Sequence, residues 1–248
     1  MKFIKLSVTS AACVLLLTAC GGESASEYAS RVVQGFWSGA VTQAPDGATS
    51  VDTALVPGET AWIIFTNGTT ATGFAKIPVT AMYTNETEAS VSGKGFYFKL
   101  GSATRNNISL TGIATTSNTF TGSSQLGTTT AFNLSLKGNE AYRTAPKTSD
   151  VTATWSGTTG GNTVTVTWTV DSVGAVSGNS TTGCTYGGTI KPNTAGVAVL
   201  DVAVTESCSG TNKTLSGIAT LTSSKTGLAV AYTTAGDAEG GLLQLAKQ

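Results

Sequence analysis

The chain contains no histidine, and only 11% of its 248 residues are charged, with fourteen basic residues against fourteen acidic. Without histidine there is no Ser-His-Asp or Cys-His arrangement, no imidazole general base and no histidine-bound zinc. A balance so close to neutral removes the electrostatic reason to expect nucleic acid, whose phosphates dominate binding affinity. Proline is modest at five residues while Thr, Ser, Gly and Asn are abundant, so the chain presents hydroxyl and amide surface rather than charge. A membrane-spanning helix needs about 20 apolar residues, and the most apolar stretch, 6–19, is shorter than that. Beyond it no segment shows a sustained helical period of apolar residues.

What is present begins at the amino terminus. The basic start Met1-Lys2-Phe3-Ile4-Lys5 leads into the uncharged run 6–19, which closes on Leu17-Thr18-Ala19-Cys20. A cationic n-region, a short h-region and small residues before a cleavage point are the marks of an export signal. The cysteine directly after Thr18-Ala19 makes the segment resemble the lipobox of bacterial type II signal peptides. That resemblance implies that residues 1–19 are removed, that the Cys20 thiol carries a diacylglycerol, and that the new amino terminus is acylated. The partner it implies is a membrane, reached through the acyl chains on Cys20. Gly21 stands where an aspartate in enteric lipoproteins resembles an inner-membrane retention signal, so the implied destination is the outer membrane. Loss of Lys2 and Lys5 leaves a mature net charge of about −2.

Cysteine usage agrees with export. Cys13 lies inside the signal and Cys20 is the proposed lipid site, which leaves Cys184 and Cys208. Two thiols in an oxidising envelope predict a disulfide, contributing ~3 kcal/mol in the chain-entropy model. A metal site is the alternative, but with no histidine and no third thiol nearby no metal is expected, and no cofactor either. The carboxylates are scattered. Glu86-Thr87-Glu88 would set two of them on one strand face, which serves an aggregation-resistant edge as well as it serves chemistry. No catalytic residue is assigned.

Residues 20–31 read as a lipidated tether of small residues. After it come short runs rich in Val, Ile, Thr and aromatics, broken by Asp46-Gly47, Asn67-Gly68 and Gly160-Gly161-Asn162. Strands are predicted at 60–66, 96–100, 107–114, 131–136, 163–170, 197–205, 214–221 and 228–233. Val164, Val166, Trp168 and Val170 share one face of such a strand, the period of two expected when one side is buried. The fold class is therefore all-β and antiparallel.

The halves also echo one another. Phe36-Trp37-Ser38-Gly39 is matched by Thr154-Trp155-Ser156-Gly157, and Leu110-Thr111-Gly112-Ile113-Ala114-Thr115 by Leu215-Ser216-Gly217-Ile218-Ala219-Thr220. Between these anchors, Trp62 precedes Gly73 much as Trp168 precedes Gly178, and each half closes on an alternating strand, 131–136 and 228–233. Two related β units follow, 32–138 and 151–246, joined by a linker at 139–150. The Trp-Ser-Gly opening, followed by a meander of short strands, resembles the first strand of lipocalin-like barrels and of the small barrels in surface lipoproteins. The resemblance implies that Trp37 and Trp155 close a barrel base rather than touch ligand.

The expected function is a non-enzymatic, lipid-anchored envelope lipoprotein whose tandem β units bind a protein, a glycan or a small apolar ligand. A structural envelope component without a ligand pocket stands as the alternative.

Overall fold

A computed structural model describes residues 24–56, 60–102, 104–128, 130–159 and 164–248. Residues 1–19, Cys20 and the Gly160-Gly161-Asn162 turn signal lie outside or at the border of these ranges, so the signal, the lipid site and that turn fall outside the described residues. The first unit is a closed, antiparallel, eight-stranded barrel. Its strands are β1 (Gly35–Thr42), β2 (Ser50–Val56), β3 (Thr60–Asn67), β4 (Thr70–Asn85), β5 (Glu88–Lys99), β6 (Arg105–Thr115), β7 (Thr119–Leu126) and β8 (Thr130–Asn139). The second is another, built from β9 (Ala153–Thr159), β10 (Thr165–Val170), β11 (Ala175–Ser180), β12 (Thr185–Pro192), β13 (Leu200–Cys208), β14 (Thr211–Leu221), β15 (Gly227–Thr233) and β16 (Gly240–Lys247). Each strand pairs with its sequence neighbour, and the first closes on the last, β1 on β8 and β9 on β16. Among the described residues closure leaves no exposed sheet edge, which is how small all-β proteins avoid edge-to-edge association.

The two barrels start alike. A helix, α1 (Ala25–Val33), precedes β1, and a short one, α2 (Thr148–Val151), precedes β9. The Trp37 indole N–H donates to the Val33 carbonyl at 3.0 Å, and the Trp155 indole to the Val151 carbonyl at 2.7 Å. Each ring thus satisfies a helix-end carbonyl, four residues back, that would otherwise be orphaned, while its body is buried inside the barrel. The Leu-x-Gly-Ile-Ala repeat falls on the sixth strand of each barrel, β6 and β14.

Two of the proposed equivalences do not survive. Trp62 is on β3, the third strand of its barrel, whereas Trp168 is on β10, the second of its own. Trp168 points into the second barrel's core, but Trp62 points outward and is covered by the other barrel. The alternating strands are likewise out of step, 131–136 lying on the eighth strand and 228–233 on the seventh.

The tether is also corrected. Ala25–Val33 is helical, with Ala29 and Val33 in the first barrel's core. Ser24 and Glu27 form a capping box, in which the Glu27 N–H donates to Ser24 Oγ at 3.2 Å and the Ser24 N–H to Glu27 Oε2 at 2.9 Å. Two helix-terminal donors are satisfied reciprocally. Glu86-Thr87-Glu88 is not a strand face either: Glu86 and Thr87 form the β4–β5 turn, and Glu88 accepts from the Asn85 amide at 3.0 Å.

The barrels pack side against side. Outward residues Trp62, Phe74 and Phe98 of the first meet Ile218, Ala231 and Leu242 of the second in an apolar seam. Phe74 and Phe98 stack with centroids 4.9 Å apart. At the margin, Lys76 Nζ pairs with Asp237 at 2.8 Å and Arg105 donates to the Gly236 carbonyl at 2.8 Å.

The linker 139–150 contributes Tyr142 to this seam. Glu140–Arg143 is a 3-10 turn capped by Asn139, whose Oδ1 accepts from the Ala141 N–H at 2.8 Å. The Tyr142 ring is buried edge-on against Phe36, and its carbonyl accepts from the Ala198 N–H at 2.8 Å. Proteolysis requires local unfolding, so limited trypsin digestion is expected to leave the bonds after Arg143 and Lys147 intact. Prompt appearance of two barrel-sized fragments would show that the seam opens freely.

Cys184, just before β12, and Cys208, at the end of β13, are joined by a disulfide that ties adjacent strands. Glu206 lies beside the bridge and accepts from the Tyr186 hydroxyl at 2.7 Å. Both sulfurs are used in the bond, so this cluster offers no thiolate to a metal.

Candidate functional site

Barrels of eight strands either fill with side chains or enclose a ligand. The first barrel is filled. Its interior holds a void of about 20 Å³ lined by apolar side chains including Val33, Ile63, Val91, Leu110 and Leu134. Small-molecule sites run to about 300–1,000 Å³, so the void holds roughly one water molecule. In the second barrel Trp155, Trp168, Ile190, Leu200 and Leu228 are fully buried and occupy the centre.

Room for a ligand lies between the barrels. A cleft of about 660 Å³ runs along the outer faces of β1, β2 and β3 on one side and β14, β15 and β16 on the other. Its walls follow from strand alternation, since the residues that face out of each barrel are those that face each other across the cleft. Apolar surface comes from Phe36, Ile64, Ile218, Ala229 and Ala231. Hydroxyl and amide groups come from Ser38, Ser50, Thr66, Thr69, Thr220 and Gln244. Some are already held in place, with Ser50 Oγ and Thr66 Oγ1 2.7 Å apart.

Asp52 is the charged residue among the described residues that line this cleft. Its side chain keeps access to solvent, yet the surrounding walls displace enough water to raise its pKa above the usual aspartate range. Trp62 lines the cleft but stacks against Phe74, at 6.4 Å and 13° between planes, and is only 5% exposed. Its ring faces are taken, so the aromatic surface open to a ligand is that of Phe36.

A smaller hollow of about 240 Å³ adjoins the cleft and shares Phe36, Trp37 and Asn139 with it. Its wall includes Tyr142, whose buried hydroxyl has no hydrogen-bond partner among the described residues. Burial also pushes that hydroxyl's pKa upward, keeping it protonated as a donor. A buried donor left unpaired costs about 1–3 kcal/mol, which a ligand or an ordered water would recover.

Of the residues singled out from sequence, Cys184 and Cys208 are joined, Trp37 and Trp155 are core, and Cys20 lies outside the described residues. Sequence reasoning missed Phe36, Asp52 and Tyr142. Phe36 and Asp52 sit at outward positions of alternating strands, a signal that was available, but only the packing of the two barrels brings them opposite β14–β16.

No protein-family model matches the chain, and no curated protein sequence is significantly similar to it. Among solved structures it is similar to a crystal structure of a protein of unknown function from the DUF3598 family of Nostoc punctiforme. The likeness covers 92% of this chain and 100% of that one, at 12% identity and a TM-score of 0.27. At those values it bears on neither family nor function.

Proposed function

We propose that this protein is a lipid-anchored lipoprotein of the bacterial envelope, held in the outer membrane through Cys20, that binds a neutral glycan in the cleft between its barrels. The observation that carries the ligand class is the lining of the cleft. An apolar strip around Phe36 and Ile64 is edged by hydroxyl and amide groups, with Asp52 as the one charged residue among the described residues that line it. Sugars present both surfaces at once, aliphatic ring faces and a rim of hydroxyls, and the aromatic face of Phe36 supplies the flat contact that a ring face packs on. A small apolar ligand would find its proper environment in a barrel interior, and the first barrel's is filled. Among the described residues lining the cleft itself, Asp52 has no second carboxylate to pair with for acid and base catalysis of glycosidic cleavage, which supports binding over turnover.

The test is a screen of neutral oligosaccharides against the mature chain, followed by calorimetric titration of those retained. Thr220→Trp, which places a large ring in the cleft from an outward position on β14, is expected to weaken binding at least about tenfold. Phe36→Ala should weaken it comparably. Retained binding in Thr220→Trp, with an unchanged thermal midpoint, would remove the cleft as the site.

A further inference from the structure

We infer that the end of the first barrel capped by α1 docks on the lipid surface, through a patch formed by Tyr28, Met82, Tyr83 and Ile113. This rests on the acylation of Cys20 proposed above. Among the described residues four large apolar or aromatic side chains are exposed, and three of them are Met82 at 61%, Tyr83 at 45% and Ile113 at 41%. The register gathers them. Met82 on β4 lies opposite Ser90 on β5, which in turn lies opposite Ile113 on β6. Two strand spacings, ~10 Å, therefore separate Met82 from Ile113 on one outer face. Tyr83 follows Met82 at the barrel mouth, where its ring meets Tyr28 of α1 edge-on at 5.7 Å. The Tyr28 hydroxyl donates to the Glu86 carbonyl and fixes the helix to the β4–β5 turn.

The repeat shows what such a position does when it is covered. Ile113 and Ile218 hold the same place in the Leu-x-Gly-Ile-Ala segments of β6 and β14. Ile218 is buried in the seam between the barrels, whereas Ile113 has no barrel over it.

Chain length supplies the cover. The Tyr28 N–H donates to the Ser24 carbonyl at 2.9 Å, so Ser24 lies one helical turn from the patch. Three residues separate Ser24 from Cys20, and the four residue-to-residue steps between them span at most about 14 Å when fully extended. A lipidated Cys20 therefore holds this end of the barrel against the headgroups. Tyrosines are favoured at that depth, where one end of the ring is apolar and the other wet. Glu27, Glu86 and Glu88 outnumber Arg31, whose guanidinium lies 5.5 Å from the centre of the Tyr28 ring, so the surface suits a zwitterionic bilayer rather than an anionic one.

The four native tryptophans are at most 5% exposed, so an introduced indole can report on lipid contact. The acylated, full-length mature protein would be reconstituted into phosphatidylcholine vesicles with and without brominated acyl chains. The indole introduced by Met82→Trp is expected to lose most of its emission in brominated vesicles. One introduced by Ser102→Trp, in the β5–β6 turn at the far end of the barrel, is expected to keep it. Failure to float with the vesicles would overturn the acylation reading and the docking with it. Flotation with the Met82→Trp indole unquenched, or quenched no more than the Ser102→Trp indole, would overturn the docking alone. A blue shift of the Met82→Trp indole that grows with protein concentration and ignores bromine would overturn it in favour of a second copy of the chain.

Discussion

Gly157→Ala is expected to lower the thermal midpoint by roughly 6–12 °C, from a destabilisation of about 3 kcal/mol in a chain of this size. Gly157 faces the interior of β9 opposite Leu245, where the first strand of the second barrel closes on the last. A Cβ at this position would lie 2.0 Å from the Gln244 carbonyl oxygen and 3.0 Å from the Leu245 Cα. Those atoms are backbone, so relief requires β9 and β16 to move apart by about 1 Å, which breaks the hydrogen bonds that close the barrel. Gly39 holds the same place in the first barrel, where an added Cβ would lie 2.2 Å from the Ser135 carbonyl oxygen, and Gly39→Ala should behave alike. Gly187 on β12 is the control: a Cβ there meets nothing within 4 Å, and Gly187→Ala should shift the midpoint little. Equal midpoints for Gly157→Ala and Gly187→Ala in calorimetry would refute a packed closure seam.

This closure explains why Trp-Ser-Gly is the clearest repeated token in the sequence. Within each copy the tryptophan fills the barrel base and satisfies the carbonyl of the preceding helix, and the glycine two residues on lets the strands approach. Three roles on two residues of one strand, two positions apart, leave a local pattern that can be read without coordinates. Alternation is less informative, because it marks which face of a strand is buried but not by what. Trp168 is buried by its own barrel and Trp62 by the neighbouring one, and the two strands look alike in sequence. The helix α1 was hidden for another reason. Its core contacts, Ala29 and Val33, are small or β-branched and make a faint apolar stripe, although Ser24 and Glu27 had the spacing of a capping box. The cleft had no local signature at all, since its facing walls come from strands at opposite ends of the chain, β1–β3 and β14–β16, that meet only when the barrels dock.

Cys20→Ala is expected to move the protein almost completely from the membrane pellet to the soluble fraction and to abolish the mass added by acylation. The size of the effect follows from comparing the two membrane contacts proposed for this chain. Full burial of Met82 and Ile113 would contribute at most about 4 kcal/mol, which corresponds to a millimolar dissociation constant. A single myristoyl chain already does better, with an association constant of ~10⁴ M⁻¹, and is still only a marginal anchor. Two or three acyl chains on Cys20, at ~0.8 kcal/mol per buried methylene, therefore outweigh the patch by many orders of magnitude. The patch orients a protein that the lipid retains, and it cannot retain the protein by itself. The Cys184–Cys208 bridge is independent of Cys20 and should stay formed in the variant, so a folded, soluble two-barrel protein is expected rather than an aggregate. Fractionation with intact-mass spectrometry checks both points. Unchanged membrane retention of folded Cys20→Ala would sink the lipid-anchor reading.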